Sequence, residues 1–182
     1  MKIVIIGIQG SGKSTQGNSL SKEFSIPYLS TGHIFRDVSH EKTSFGRYIK
    51  EVVNAGVLAP DDITLEIVSS YLQRTEYQKG YVLDGFPRTL AQAKSFRNGI
   101  DKVVYLKVSD KEALWRLSYR KDERYDIRED ETLKAIRRRI EQFHKHTQPV
   151  IEYYRQKGLL IEVDGEQSIE EIHKEIMRKI GR

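Results

Sequence analysis

Nine residues near the N-terminus, Gly7-Ile8-Gln9-Gly10-Ser11-Gly12-Lys13-Ser14-Thr15, concentrate groups that can handle phosphate. Their spacing is G-x-x-x-x-G-K-[ST], the pattern of a phosphate-binding loop. Glycines let the backbone curl until several N–H groups face one anion, and a following helix adds its positive N-terminal end. Lys13 has the reach for the outer phosphates of a nucleoside triphosphate. Ser14 or Thr15 can offer a hydroxyl to Mg²⁺ or its waters. Further along, Asp84 closes the apolar run Tyr81-Val82-Leu83. A carboxylate there suits the second acid that holds Mg²⁺ or its waters, although such an aspartate can also simply cap a turn. Arg88, in Gly85-Phe86-Pro87-Arg88, suits a bidentate grip on phosphate; its bland reading is a surface arginine after a proline turn.

A third group of candidates lies between residues 116 and 139, with nine Lys and Arg against six Asp and Glu. Arg116 and Arg120 are four residues apart and share a helical face. Arg128 and Arg139 are eleven apart, about three turns of helix. This register could close four guanidinium groups over a polyphosphate; the same charges also fit a solvated helix-loop-helix.

These residues need elements to position them. Ile3-Val4-Ile5-Ile6 reads as a buried strand entering the loop, and Leu20 and Phe24 mark the helix that leaves it. That helix should stop near Phe24, before Ser25-Ile26-Pro27. A short strand, Pro27-Tyr28-Leu29, runs into the cap Ser30-Thr31-Gly32. Two helices follow, one with Ile34, Phe35 and Val38, the other from Phe45 to Val53 and stopped by Ala55-Gly56. Two short helices do not fit a simple crossover, so residues 30–59 are read as a small helical flap inserted into a single domain, 1–182. Pro60-Asp61-Asp62 opens another helix. A strand is expected at Val103–Val108, then a capping box at Ser109-x-x-Glu112. Lys121 to Ile127 reads as a short exposed loop. A long helix with Leu133, Ile136 and Ile140 on its core stripe follows, kinked at Pro149. The chain closes with a strand at Leu159–Val163, ended by Asp164-Gly165. A last helix follows, capped by Ser168-x-x-Glu171, with Ile169, Ile172, Ile176 and Ile180 inward.

Composition narrows the class. The 182 residues suffice for one sizeable core. No apolar run approaches the ~18 residues of a membrane span. Zero cysteines exclude disulfides, thiolate metal sites and a zinc-stapled loop, and are compatible with the cytoplasm. The net charge of +5 favours anionic partners such as nucleotides. The five histidines show no metal-ligand spacing, and no stacking surface for nucleic acid stands out, so nucleic acid is not the expected partner.

Taken together, the phosphate loop with Thr15-Gln16, Tyr28-Leu29-Ser30-Thr31-Gly32 with Arg36, Gly56 to Asp61, and Leu83-Asp84-Gly85-Phe86-Pro87-Arg88-Thr89 with Gln92 resemble the adenylate kinases in their short-lid form. Arg116, Arg120, Arg128 with Asp130 and Glu131, and Arg139 continue the likeness to about Ile180. The resemblance implies an α/β fold of the P-loop type, a doubly wound, parallel five-stranded sheet flanked by helices. It also implies that the flap at 30–59 holds a monophosphate and that a short lid at 121–128 closes over the triphosphate. The activity it implies is reversible phosphoryl transfer from MgATP to AMP, with ATP and AMP as substrates, Mg²⁺ as cofactor and no zinc, in a cytoplasmic monomer. Gly10, Ser11, Gly12, Lys13, Ser14 and Thr15 would cradle ATP phosphates, with Arg116, Arg120 and the backbone around Gly165 and Gln167 completing the donor site. Thr31, Gly32, Arg36, Val57, Leu58, Gly85, Arg88, Gln92, Arg128 and Arg139 would hold AMP. Gln92 would pair an adenine edge through its amide. Lys13, Arg88, Arg120, Arg128 and Arg139 would surround the moving phosphoryl group. Ser14 and Asp84 would serve Mg²⁺, Asp84 through water. The Phe86-Pro87 bond is cis in relatives.

Three positions depart from the family pattern. Gln9 stands where proline is usual, Ser14 where glycine is usual, and His33 where aspartate follows Thr31-Gly32. The last changes the local charge by about one unit at pH 7. Two other functions fit the same residues: a kinase preferring UMP, CMP or another monophosphate, and a nucleotide-dependent regulatory protein with weak catalysis.

Overall fold

The computed structural model describes residues 1–118 and 133–181. The strands are β1 Lys2–Gly7, β2 Tyr28–Ser30, β3 Tyr81–Asp84, β4 Lys102–Lys107 and β5 Leu160–Asp164. The helices are α1 Lys13–Phe24, α2 Thr31–Ser39, α3 Ser44–Ala55, α4 Asp61–Leu72, α5 Leu90–Ser95, α6 Asp110–Ser118, α7 Leu133–Gln142, α8 Gln148–Gln156 and α9 Ile169–Ile180. All strand pairs are parallel, in the order β2-β3-β1-β4-β5. The expected five-stranded α/β sheet is therefore the architecture of the chain.

Strand β1 sits centrally, with Val4 opposite Leu83 on one side and Val103 on the other. Its alternate residues feed two cores. Val4 and Ile6 join the cluster that includes Leu83, Val103, Val68 and Ile151. Ile3 and Ile5 join Leu20, Val104, Ile172 and Ile176. Burial on both faces is why β1 reads as an unbroken apolar run. The sheet order reverses around β1, where the chain has filled β2 and β3 on one side before crossing to β4. Ligand crevices of open α/β sheets lie at the carboxyl ends of strands at such a point.

Helix ends follow the local chemistry. Gly56 takes φ 67° and stops α3, and Ser168 with Glu171 forms the expected capping box of α9. The box expected at Ser109 is built differently. The Glu112 N–H donates to Ser109 Oγ, but the Glu112 carboxylate turns to Arg116. The Ser109 N–H instead donates to Glu166, across from the loop after β5, at 2.7 Å. Two stripe assignments also change: Ile169 and Leu133 are 55 % and 68 % exposed. Ile169 is the first residue of its helix, where a side chain has little neighbouring surface to cover, and Leu133 is the first described residue of α7.

The helix expected to kink at Pro149 changes gauge before it. Phe143–Thr147 forms a π-helical turn between α7 and α8, and Pro149 is the second residue of α8. Proline offers no N–H and crowds the carbonyl four residues back. Widening the preceding turn relieves that crowding without ending the helical path.

Candidate active site

The carboxyl ends of β1, β2 and β3 open into one cleft of about 360 Å³. The phosphate loop forms one wall. Gly10 and Gly12 take φ 87° and 88°, backbone that L side chains rarely adopt, and Gly12 leads directly into α1. Ser11 is fully buried beneath the loop, its N–H donating to the Ile8 carbonyl, so it does not line the cleft. Lys13 folds over the loop, its Nζ donating to the Ile8 carbonyl at 2.8 Å. Ser14 and Thr15 line the cleft beside it.

Strand β3 delivers Asp84 to the cleft floor. Its Oδ2 accepts a 2.7 Å hydrogen bond from the Tyr28 hydroxyl, while its buried Oδ1 has no hydrogen-bond partner among the described residues. Burial, and next the charge of Asp84, push the Tyr28 phenol well above its ordinary pKa, so it remains a donor. The Asp84 carbonyl accepts from Thr31 Oγ1 at 3.1 Å, tying the start of α2 to the end of β3. Gly85 follows at φ 82°, where a Cβ would lie 2.5 Å from Thr31 Oγ1. The Phe86–Pro87 peptide bond is cis, as the resemblance implies.

Arg88 retains accessible surface because it faces the cleft, although protein atoms crowd it from behind. Its Nε donates to the Gly85 carbonyl at 2.7 Å. Burial lowers the Arg88 pKa; Asp84 opposes that shift, and Arg139 and Arg36 add to it. A guanidinium so placed remains a cation at any ordinary pH. Arg139 reaches in from α7, donating to Gln9 Oε1 at 3.2 Å and to the Val53 carbonyl at 3.0 Å. Arg116 lines the cleft from α6, held by Glu112 at 2.7 Å. Among the described residues the cleft therefore gathers Lys13, Arg36, Arg88, Arg116 and Arg139 around one carboxylate, Asp84. Such a potential selects polyanions.

Gln92 closes the far end of the cleft. It is 2 % exposed, and its Oε1 accepts from the Arg88 N–H at 2.7 Å. Its Nε2 donates to Asp61 at 2.8 Å. Gly32, Val57 and Leu58 line the same cleft. Gly165 and Gln167 do not line it: Gly165 packs on Val108 at the end of β4, and Gln167 donates to Asp164 and Glu175. Arg120, Arg128 and the expected lid at 121–128 lie outside the described residues.

Several cleft residues carried no sequence signal of their own. Thr64 lines the cleft from α4, its hydroxyl donating to the Pro60 carbonyl. Thr147, in the π-helical turn, donates to the Arg88 carbonyl at 3.0 Å. Only the nearby Pro149 hints that this segment is irregular. His33 sits exposed at the cleft margin. Among the described residues no group of three His, Cys, Asp or Glu could hold a metal by itself. No described helix is long and apolar enough to cross a membrane.

A phosphate loop on a parallel sheet, sharing one cationic cleft with the buried Gln92 amide, defines a phosphate-transferring nucleotide enzyme. Comparison with known proteins narrows this. The adenylate kinase family model matches residues 5–159. An adenylate kinase of Caldicellulosiruptor saccharolyticus is 36 % identical, covering 100 % of this chain and 99 % of its own length. One of Clostridium beijerinckii is 36 % identical with the same coverage. One of Archaeoglobus fulgidus is 34 % identical over 97 % of this chain and 96 % of its own. The chain belongs to the adenylate kinase family.

Proposed function

We infer that this protein transfers the terminal phosphoryl group of ATP to AMP, reversibly, giving two ADP. The observation that carries this reading is the pairing, in one cleft, of a phosphate loop with a buried glutamine amide that can read a base. Family membership supports the same reaction.

In this reading the loop N–H groups of Gly10 and of Gly12 to Thr15, with the N-terminus of α1, hold the donor phosphates; the Ser11 N–H is already taken by the Ile8 carbonyl. Lys13 leaves the Ile8 carbonyl for the outer phosphates. Arg88 and Arg36 grip the acceptor phosphate, Gln92 reads its base, and Thr31, Gly32, Val57, Leu58 and Gly85 shape the pocket around it. Arg139 stands between the two, placed to meet charge on the phosphoryl group in flight. Arg116 flanks the donor side, as does Arg120 by resemblance, and by the same resemblance Arg128 joins Arg139 around the moving phosphoryl group. The attacking oxygen belongs to an already ionised phosphate, so no general base is required. Positioning and charge neutralisation carry the catalysis.

The residues present fit Mg²⁺. Asp84 has a buried oxygen without a partner among the described residues, and the Ser14 hydroxyl lines the same cleft. Mg²⁺ keeps most of its waters and needs few protein ligands, which suits a cleft lined by one carboxylate, Asp84, among the described residues. When bound it supplies charge neutralisation between the phosphates. Residues 30–59 act as the acceptor flap and 121–128 as the lid. Closing them would exclude water that could otherwise hydrolyse ATP. A cytoplasmic monomer completes the reading, as the resemblance implies.

The test is ADP formation from MgATP with AMP, UMP, CMP, GMP and dTMP offered separately. Turnover with AMP far above the others is the expected result. Turnover with another monophosphate would move the substrate but keep the mechanism. ATP binding with no turnover on any of them would overturn the reading.

A further inference from the structure

A glutamine amide alone does not choose between adenine and a 6-oxo purine. Adenine presents a donor at its amino group beside a ring-nitrogen acceptor. Hypoxanthine or guanine presents an acceptor at O6 beside a ring N–H. Turning the amide by a half-turn exchanges its oxygen and nitrogen and would serve either pattern. Selectivity between them must therefore come from whatever forbids that turn.

In this chain two neighbours of Gln92 forbid it. Asp61 Oδ1 receives Gln92 Nε2 at 2.8 Å, and a carboxylate can only accept, so it demands the amide nitrogen. The Arg88 backbone N–H, 2.7 Å from Oε1, can only donate, so it demands the amide oxygen. Thr89 strengthens the first constraint. Its hydroxyl already accepts from the Gln92 N–H at 3.1 Å and therefore donates to the same Asp61 Oδ1 at 2.9 Å. Asp61 is thus the end point of two donors, held at the first residue of α4 where the helix dipole favours a negative charge. The amide retains one N–H and one lone pair beyond these contacts, with donor and acceptor assigned to fixed ends.

We propose that Asp61 is the positioning residue that makes the acceptor pocket adenine-selective, by fixing which end of the Gln92 amide donates and which accepts. The proposal rests on the reading of Gln92 as the base reader. A base tethered through its ribose and phosphate cannot turn over to match a fixed amide, so a purine with donor and acceptor exchanged is rejected. Asp61 touches no reacting atom; it acts through Gln92.

The test compares kcat/KM for AMP and IMP, two purine monophosphates that differ in the donor and acceptor at this edge. It uses the full-length wild type, Asp61→Asn and Gln92→Ala. Asparagine keeps the shape of Asp61 but can donate as well as accept, so one of the two constraints is lifted and only the Arg88 N–H still orients the amide. The AMP:IMP ratio should fall by about tenfold in Asp61→Asn, the worth of one hydrogen bond in discrimination, with the KM for ATP unchanged. A general loss of structure would lower both substrates together and leave the ratio intact. A wild-type ratio in Asp61→Asn, alongside a collapsed ratio in Gln92→Ala, overturns the role of Asp61 alone. A wild-type ratio in Gln92→Ala overturns the base-reading assignment, and this inference with it.

Discussion

The two ends of the cleft are built from different materials. At the phosphate loop, nine consecutive residues shape the wall mainly with their backbone, bent by Gly10 and Gly12, and one side chain, Lys13, lies over it. At the Gln92 end, side chains arrive from four separate segments. Thr31 comes from α2, Asp61 and Thr64 from α4, Arg88 and Gln92 from around α5, and Thr147 from the π-helical turn. The difference follows from what each end would bind. A phosphate is symmetric and charged, so oriented N–H dipoles suffice. A base differs from its rivals by the order of donors and acceptors along one edge, and only held side chains can present a fixed order.

Substitutions can break this comparison at either end. The largest effect is expected from Lys13→Met, which leaves the backbone cradle in place but removes its one mobile charge. Turnover should fall by roughly 10²–10³-fold while the circular dichroism spectrum and thermal transition stay close to wild type. Near-normal turnover would mean that the backbone alone carries the donor side. Gly85→Ala probes the other end. A side chain at φ 82° costs about 1–2 kcal/mol, and its Cβ would press on Thr31 Oγ1. The KM for AMP should rise roughly tenfold through the displaced Thr31 and Arg88, with the KM for ATP little changed. An equal rise for both nucleotides would show that the ends are not separable. The smallest effect is expected from Thr147→Val, which removes one hydrogen bond to the Arg88 carbonyl. An increase of a few-fold in the KM for AMP is expected, corresponding to about 1 kcal/mol. No change would reduce Thr147 to packing.

The same contrast explains which parts of the molecule could be read in advance. The phosphate loop is contiguous, and its glycine spacing carries its geometry. The β-branched strand before it and the apolar periodicity after it place it at a sheet edge. The parallel sheet was legible because strands buried on both faces leave continuous apolar runs, as in β1 and β4. Cap patterns were legible only in part. Ser168 with Glu171 formed the expected box because, among the described residues, no competing partner takes that carboxylate, whereas Glu112 had Arg116 one turn further on and gave up Ser109 to Glu166. Local pattern lists the possible hydrogen bonds, and tertiary neighbours choose among them.

By itself the sequence determined the class of chemistry: a backbone anion cradle, a strand-end carboxylate and an excess of arginines, all on an α/β frame. It also determined that thiolate chemistry plays no part, since the chain has no cysteine. Tertiary structure decided which of those charges share one cleft, and it left Gly165 and Gln167 beside that cleft rather than on it. It also decided the direction of the Gln92 amide. That direction depends on Asp61, thirty-one residues away in the chain and 2.8 Å away in space. A hydrogen bond's polarity is set by the atoms it meets after folding, and no spacing rule along the chain contains it.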